Sequence, residues 1–107
     1  MVAPKRFDVY LVSLDPAQGA EIRKTRPCVV ISPDEANRHL QTVLVAPLTT
    51  TLRNYPSRVR LRFHNRDGEI ALDQMRAIDT RRLVKHLGPV SPEAARRITA
   101  TLLEYFA

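Results

Sequence analysis

The amino-acid sequence predicts a compact antiparallel β-barrel of α+β composition. Three observations lead to this class. Several short apolar runs are bounded by proline, one central segment alternates strictly between apolar and charged residues, and a helix signature stands near the C-terminus. The 107 residues correspond to one domain, 1–107, because a chain of this length forms a single small core.

The first half of the chain contains three predicted strands. Phe7–Leu14 is apolar on both faces, and Cys28–Ile31 and Thr42–Ala46 are short β-branched runs, as is typical of buried strands. Asp15–Arg26 is a long polar loop, which in so small a domain is more often functional than incidental. Ser32–Glu35 has the pattern of a capping box with Pro at the first helical position, and it predicts a short helix.

A β-hairpin is predicted in the centre of the chain. Ser57–His64 alternates with the period of a strand, Asn65–Gly68 carries an Asp-Gly turn signal, and Glu69–Met75 returns as the second arm. The apolar face of the first arm consists of Val59, Leu61 and Phe63, and the polar face of Arg58, Arg60, Arg62 and His64.

The last third of the chain predicts a helical turn, a strand and a helix. Asp79–Arg82 has the pattern of a turn capped by its aspartate, and Leu83–Val90 that of a short strand. Ser91–Glu93 supplies an N-cap, a first-position proline and an acid near the helix dipole. The side chains expected to pack on the sheet recur at helical spacing: Ala95, Ile98, Leu102 and Tyr105.

The charge balance favours a nucleic-acid partner. Seventeen basic residues against eleven acidic ones give a net charge of +6 and a pI near 10.2, and fourteen of the basic residues are arginine. Arginine presents a planar fork of donors that suits phosphate better than the lysine ammonium does. The alternative is a basic surface that only aids solubility.

The composition also argues against several classes. Cys28 is the one cysteine, so no internal disulfide forms, and its place in a core strand predicts a buried apolar thiol. The apolar runs are too short to span a bilayer, and no apolar segment follows Met1–Arg6, so we expect a cytoplasmic protein. One cysteine, no closely spaced histidine pair and no acidic cluster predict no metal site, and we expect no cofactor.

Two strand ends carry the side chains that suggest a function. Arg26 stands directly in front of the Cys28 strand, and Thr49 follows the strand that ends near Pro47, with Thr50 and Thr51 behind it. A guanidinium held on one strand end and a hydroxyl on another can grip a phosphodiester between them.

These motifs, in this order and spacing, resemble the MazF/PemK (Kid) family of toxin endoribonucleases over nearly the whole chain. No single motif is diagnostic, and the specificity lies in their order. The matching segments are Asp8–Tyr10, Leu14–Pro16, Gly19–Glu21, Lys24–Pro27, Val30–Pro33 with Asn37, Val45–Thr50 and Ala71–Arg76.

The resemblance implies an SH3-like barrel, a homodimer and a cognate antitoxin whose disordered tail occupies the RNA site. It implies metal-independent, sequence-specific cleavage of single-stranded RNA at Arg26 and Thr49. The ribose 2′-OH would attack the phosphorus and leave a 2′,3′-cyclic phosphate (or 3′-phosphate) and a 5′-OH. Glu21 is a further candidate, either as the base or as the residue that orients Arg26.

The remaining site candidates are expected to contact RNA through charge, hydroxyl, amide or ring groups. They are Lys24, Thr25, Thr50, Thr51, Tyr55, Arg58, Gln74 and Arg76.

Simpler roles stay open for several residues. Arg26 could form a surface ion pair with Glu21, Thr49 could cap its loop, and Asp73 could be a structural acceptor. The Arg58, Arg60 and Arg62 face could be solvated, track phosphates or contact a second copy. Three histidines invite a comparison with acid–base ribonucleases, but they lie on unrelated elements: His39, His64 and His86.

Two other functions fit the same fold. A barrel that binds nucleic acid without cleaving it would present the same basic groove, and only activity separates the two. A gyrase inhibitor of the CcdB type is disfavoured, because that activity relies on a C-terminal Trp-Gly-Ile element and this chain has no tryptophan and ends in Leu103–Ala107.

Overall fold

The computed structural model describes residues 2–107. The described chain contains seven strands and two α-helices, with two short 3₁₀ turns at Leu72–Gln74 and Thr80–Arg82. In chain order the elements are β1 (Asp8–Ser13), β2 (Thr25–Val30), α1 (Asp34–His39), β3 (Thr42–Thr49), β4 (Arg58–Phe63), β5 (Arg66–Ala71), β6 (Arg76–Asp79), β7 (Leu83–Pro89) and α2 (Pro92–Tyr105).

The strands form one curled antiparallel sheet. Its order is β4-β5-β3-β2-β1-β7, and β6 pairs with the first half of β3, on the edge opposite β2. β3 therefore has neighbours along its whole length, while β4 and β7 lie at the two ends of the strand order. The antiparallel α+β barrel predicted from the sequence is confirmed in this half-open form.

The sheet buries apolar side chains on both faces. Along β2 the side chains alternate, so that Val29 joins one cluster while Cys28 and Val30 join the other. The first cluster is covered by α2 through Ala94 and Ile98, which are both buried. Burial raises the pKa of the Cys28 thiol to about 12, as expected for an inert core residue.

The start of α1 differs from the prediction. The helix begins at Asp34 and is flanked by Pro33, and no side chain caps it. The Ser32 hydroxyl instead donates to Oδ1 of the buried Asn37 and accepts the Leu44 amide, 2.6 and 3.0 Å away. The predicted capping box is wrong, because these two tertiary contacts use the serine oxygen.

The turn of the β4–β5 hairpin also lies earlier than predicted. His64 and Asn65 occupy the turn with φ values of +49° and +63°, and Phe63 pairs directly with Arg66. The Asp-Gly dipeptide belongs to β5 instead. Gly68 is required there by space, because a Cβ atom would lie 2.9 Å from the Thr49 carbonyl oxygen.

Three strand boundaries were also misjudged. β2 begins at Thr25, so its first residues pair with the end of β1 rather than lying in the loop. β3 continues to Thr49, and the second hairpin arm ends at Ala71. The sequence did not predict β6, whose four residues become a strand only through pairing with β3.

The C-terminal helix is confirmed with one exception. The Ser91 hydroxyl accepts the Ala94 amide at 3.1 Å, as an N-cap does, and Ile98 and Leu102 pack inward. Tyr105 was predicted to pack on the sheet but is half exposed. No helix within residues 2–107 is both long and apolar enough to span a membrane.

Candidate functional site

A surface cavity of about 470 Å³ lies where β2 begins and β3 ends, beside the β4–β5 hairpin. Arg26 and Thr49 both line it, so the structure brings the two residues together as predicted. The complete lining is Lys24, Thr25, Arg26, Pro27, Leu48, Thr49, Thr50, Leu61, Phe63, His64, Arg66, Asp67, Gly68 and Leu87.

Strand register explains why Arg26 and Thr49 meet. β2 and β3 pair in antiparallel register, with Cys28 opposite Pro47. Arg26 precedes Cys28 by two residues and Thr49 follows Pro47 by two, so both lie just beyond the same end of the β2–β3 pairing, at the cavity. A guanidinium and a hydroxyl are thus carried by adjacent strands instead of mobile loops.

The Arg26 side chain is steadied by a single backbone contact. Its Nε donates to the Arg23 carbonyl at 3.0 Å, and the two terminal nitrogens donate to no group within residues 2–107. No ion pair joins Arg26 to Glu21 in that part of the chain, so the alternative in which the two form a surface pair is not realised. The guanidinium fork remains available for an anion.

Thr49 is almost buried, with 8% of the residue exposed. Its Oγ1 accepts the Thr51 amide at 3.1 Å, which is the loop-capping contact considered from the sequence. That bond uses a lone pair and leaves the hydroxyl proton available, so capping and ligand binding are compatible. Thr50 also lines the cavity, whereas Thr51 does not.

A second cavity, of about 340 Å³, holds three of the other predicted site residues. Glu21, Gln74 and Arg76 line it, and neither Arg26 nor Thr49 does. Consecutive β3 residues line different cavities, since Pro47 belongs to the second and Leu48 to the first. The structure therefore does not bring Glu21 to the Arg26–Thr49 pair, and Glu21 accepts the Gln18 amide instead.

Several of these side chains hold the β1–β2 loop. The Gln74 Oε1 accepts the Ile22 amide at 3.3 Å, and the Arg76 Nη1 donates to the Leu14 carbonyl at 3.1 Å. Arg82, which the sequence did not indicate, donates to the carbonyls of Ser13 and Asp15 at 3.1 and 2.9 Å. These contacts fix the chain that leads to Arg26.

Arg58 is occupied by carboxylates. Its Nε and Nη2 donate to the two oxygens of Asp73 at 2.7 and 3.2 Å, and its Nη1 lies 3.4 Å from Glu69. The Arg58 side chain is only 8% exposed, and the half-exposed Tyr55 ring lies 5.1 Å from its guanidinium. An RNA contact by Arg58 stays a prediction, but this placement favours a structural role.

The two carboxyl groups of this network are held in their charged forms. Burial raises the pKa of Glu69, but hydrogen bonds from the amides of Arg53 and Asn54 and from Arg58 outweigh it, so the pKa lies below its ordinary value. In the same way, burial is outweighed at Asp73 by donors from Arg58 and Ser57, and its pKa is lowered. Asp73 is therefore the structural acceptor considered from the sequence.

The rest of the arginine face of β4 is solvent-exposed. The Arg60 Nη2 donates to the Asn54 amide oxygen at 2.7 Å, and Arg62 pairs loosely with Asp67 at 3.4 Å. Both arginines are exposed, whereas Arg58 on the same face is not. Arg60 and Arg62 are therefore accessible to solvent, to phosphates or to a second copy, and the choice among these three roles stays a prediction.

The histidines are dispersed, as the sequence suggested. His64 lines the first cavity and stacks on Phe63 with ring centroids 4.1 Å apart. His86 pairs with Asp8 across β7 and β1 at 2.7 Å, and His39 ends α1. Within residues 2–107 no group of three or more His, Cys, Asp or Glu side chains is arranged to hold a metal.

Sequence reasoning missed the hairpin side of the first cavity. Leu61 and Phe63 were predicted only to share the apolar face of the hairpin; they pack against the core and, being partly exposed, also form an apolar wall of the cavity that Arg26 lines. Arg66 and Asp67 were placed in a turn and instead open β5. The Asp-Gly dipeptide predicted the turn at the wrong residues. The true turn residues, His64 and Asn65, have positive φ but carry no comparably strong sequence signal.

A basic half-open barrel with an arginine and a threonine in one surface cavity is an arrangement whose donors suit a phosphodiester. The chain belongs to the family of PemK-like, MazF-like toxins of type II toxin–antitoxin systems, whose model matches residues 5–106.

Individual relatives agree with this assignment. The chain is 33% identical over 100 residues to the Endoribonuclease MazF of Staphylococcus saprophyticus subsp. saprophyticus, covering 88% of this chain and 83% of that protein. The crystal structure of MazF from Deinococcus radiodurans superposes with a TM-score of 0.85 at 24% identity, covering 97% and 96% of the two chains. An endoribonuclease in complex with its cognate antitoxin from a mycobacterial species superposes with a TM-score of 0.83 at 27% identity, covering 97% and 95%.

The lowered pKa values of Glu69 and Asp73 predict acid sensitivity of the fold. An unfolded chain takes up these protons at a higher pH than the folded chain, so the free energy of unfolding should fall as the pH drops below about 5. Asp73→Asn should be less stable at pH 7 and should show a shallower decline. Urea unfolding from pH 7 to 3 measures both.

Ile98→Val is the control for this experiment. It removes one buried methyl group and no titratable or hydrogen-bonding group, so it should lower the stability by about 1 kcal/mol at every pH and leave the slope unchanged. Parallel curves for wild type and Asp73→Asn would contradict the assignment.

Proposed function

We propose that the chain is an endoribonuclease toxin that cleaves single-stranded RNA at the Arg26–Thr49 cavity. The observation that carries the proposal is the meeting of a guanidinium and an alcohol on adjacent strand ends in one cavity. Family membership supports a toxin, and the curated relative named Endoribonuclease MazF supports the activity. The cytoplasm, where mRNA is available, is the proposed site of action.

The proposed reaction is an in-line transesterification. The ribose 2′-OH attacks the adjacent phosphorus, the bond to the 5′-oxygen breaks, and the products carry a 2′,3′-cyclic phosphate (or, after hydrolysis, a 3′-phosphate) and a 5′-OH. Negative charge builds on the non-bridging oxygens in the transition state. Arg26 neutralises that charge, and the Thr49 hydroxyl donates to one oxygen.

The substrate class follows from this chemistry. Only RNA carries the 2′-OH nucleophile, so DNA is not cleaved. In-line geometry requires the 2′-oxygen, the phosphorus and the 5′-oxygen to align, which an A-form duplex does not allow. The substrate is therefore single-stranded, and the selection of a particular sequence would fall to the loops around the cavity.

RNA contacts are divided between the two cavities. Lys24, Thr25 and Thr50 line the first cavity beside Arg26 and are proposed to hold the scissile nucleotide. Gln74 lines the second cavity, where the NH₂ group of its side chain, which donates to no group within residues 2–107, can read a base edge.

The other predicted contacts take more peripheral roles. Tyr55 and Thr51 lie on the exposed loop after β3. They are proposed to contact the part of the RNA that extends beyond the cavity. Glu21 and Arg76 line the second cavity, away from the reacting phosphate. Glu21 is therefore not proposed as the general base, and Arg76 is proposed to contact RNA there. Arg58 pairs with the carboxylates of Glu69 and Asp73 and is proposed to support the loop after β3 through them.

Arg26 and Thr49 supply the charge and the hydrogen bonds that this reaction needs, so metal-independent cleavage is part of the proposal. The proposed partners are single-stranded RNA, a cognate antitoxin and a second copy of the chain. The antitoxin is supported by the mycobacterial endoribonuclease, whose structure contains its cognate antitoxin.

Arg26→Ala should lower the rate of RNA cleavage by about 100- to 1,000-fold, as expected for one preorganised charge donor. Arg26→Lys should retain part of the rate, since it keeps the charge but loses the fork. The measurement is the initial rate on a long single-stranded RNA, with urea unfolding to verify the fold.

The matched control for Arg26 is Arg38→Ala. Arg38 is an exposed residue of α1 that lines neither of the two cavities. The Arg38→Ala substitution removes the same charge as Arg26→Ala. A comparable loss of activity in both variants would therefore attribute the effect to general electrostatics and not to the site.

Thr49→Val should reduce the rate by about 100-fold, because it removes the hydroxyl donor while nearly preserving the shape of the side chain. Thr42→Val is the control, since it makes the same change at the opposite, exposed end of β3. Single-turnover cleavage compares the two, and an unimpaired Thr49→Val variant would remove the hydroxyl from the mechanism.

The nucleophile can be tested with two oligonucleotides. The cut sites are first mapped on a long RNA in EDTA, and a matched substrate with one 2′-deoxyribose at the cut site is then prepared. The all-ribose substrate should be cut to a 2′,3′-cyclic phosphate in EDTA, and the 2′-deoxy substrate should stay intact. Cleavage of the 2′-deoxy substrate would rule out the 2′-OH mechanism, and loss of all cleavage in EDTA would refute metal independence.

A further inference from the structure

We propose that Glu69 is a positioning residue that fixes the loop formed by residues 50–57 at the rim of the first cavity. This loop joins β3 to β4 and begins directly after Thr49. The inference rests on the proposed function, because fixing this loop affects activity only if the loop binds RNA.

The loop is anchored from below by a buried carboxylate. Residues 50–56 are all exposed, yet two of their backbone amides donate to a side chain that is 1% exposed. The Arg53 amide donates to Oε1 of Glu69 and the Asn54 amide to Oε2, both at 2.9 Å. A single carboxylate thus clamps two consecutive amides, one on each oxygen.

The clamp is connected to the catalytic hydroxyl. Glu69 lies directly opposite Thr49 in the β3–β5 register, and Gly68 packs against the Thr49 carbonyl. In the same loop, the Thr51 amide donates to the Thr49 Oγ1 at 3.1 Å. β5 therefore sets the Thr49 backbone through its pairing and the Thr49 hydroxyl through the loop.

Glu69 has closer partners in the loop than in Arg58. The contact from Arg58 to Glu69 is 3.4 Å, whereas the contact from Arg58 to Asp73 is 2.7 Å. Arg58 is thus held mainly by Asp73, and Glu69 mainly serves the two amides. The geometry points to loop placement, beyond a role as half of a buried ion pair.

Hydrogen exchange on the wild-type protein tests the clamp without any substitution. The amides of Arg53 and Asn54 should exchange at least about tenfold more slowly than unprotected amides of an exposed loop. NMR-detected exchange resolves them individually. Fast exchange at both positions would overturn the proposal.

Glu69→Gln tests the consequence for RNA. Glutamine keeps one acceptor oxygen and replaces the other with an NH₂ group, so one loop amide loses its partner. If the ordered loop is then populated about one tenth of the time, the KM for RNA should rise about tenfold, because apparent affinity falls with the competent fraction. The kcat at saturating RNA should change less than about twofold, since bound RNA selects the ordered loop.

Ile98→Val separates positioning from loss of stability. It weakens the core beneath α2 without contacting the loop, and should leave KM and the exchange of Arg53 and Asn54 unchanged. A Glu69→Gln variant with wild-type KM, or one in which only the active fraction falls, would overturn the positioning role. A wild-type protein that cuts no RNA would overturn the proposed function, while the exchange rates would still decide whether the clamp exists.

Discussion

The candidate site depends on the way β3 changes partners along its length. Its middle pairs with β2 as far as Pro47, and its last two residues, Leu48 and Thr49, pair with β5. The same eight-residue strand therefore carries Thr49 to Arg26 on one side and to Glu69 on the other. Thr49 lies opposite Glu69, so a slip of one residue would remove it from that partner and expose apolar neighbours that the core buries. Core burial thus enforces the geometry of the site.

The arginine-rich composition serves the fold as well as the ligand. Arg58 binds carboxylates, and Arg76 and Arg82 bind main-chain carbonyls of the β1–β2 loop. Their charges contribute to the overall field, but at least one nitrogen of each is already used within the fold. Arg26 and Arg66 are the arginines that line the first cavity. Net charge was therefore a fair guide to the class of partner and a poor guide to which arginine would meet it.

Local signals predicted the elements that local interactions decide. The Ser91 cap and the turn capped by Asp79 use atoms within three residues and were predicted correctly. Ser32 had an equally good local pattern for a helix cap, but its hydroxyl oxygen accepts the amide of Leu44, twelve residues away. Arg58 and Asp73 are fifteen residues apart in sequence, so their pairing could be seen only once the fold was known. The Arg26–Thr49 pair was within reach of the sequence because both residues stand at the ends of recognisable strands.

A buried carboxylate is an expensive feature in a core of this size. Taking a carboxylate out of water costs several kcal/mol. At Glu69 the three N–H donors outweigh that cost, because they hold its pKa below the ordinary value. An apolar side chain of similar volume would avoid the cost of burial, but it would leave the amides of Arg53 and Asn54 without an acceptor. The loop would then be ordered only by its ends. Glu69 therefore contributes to the geometry of the loop beside Thr49 as well as to the free energy of unfolding.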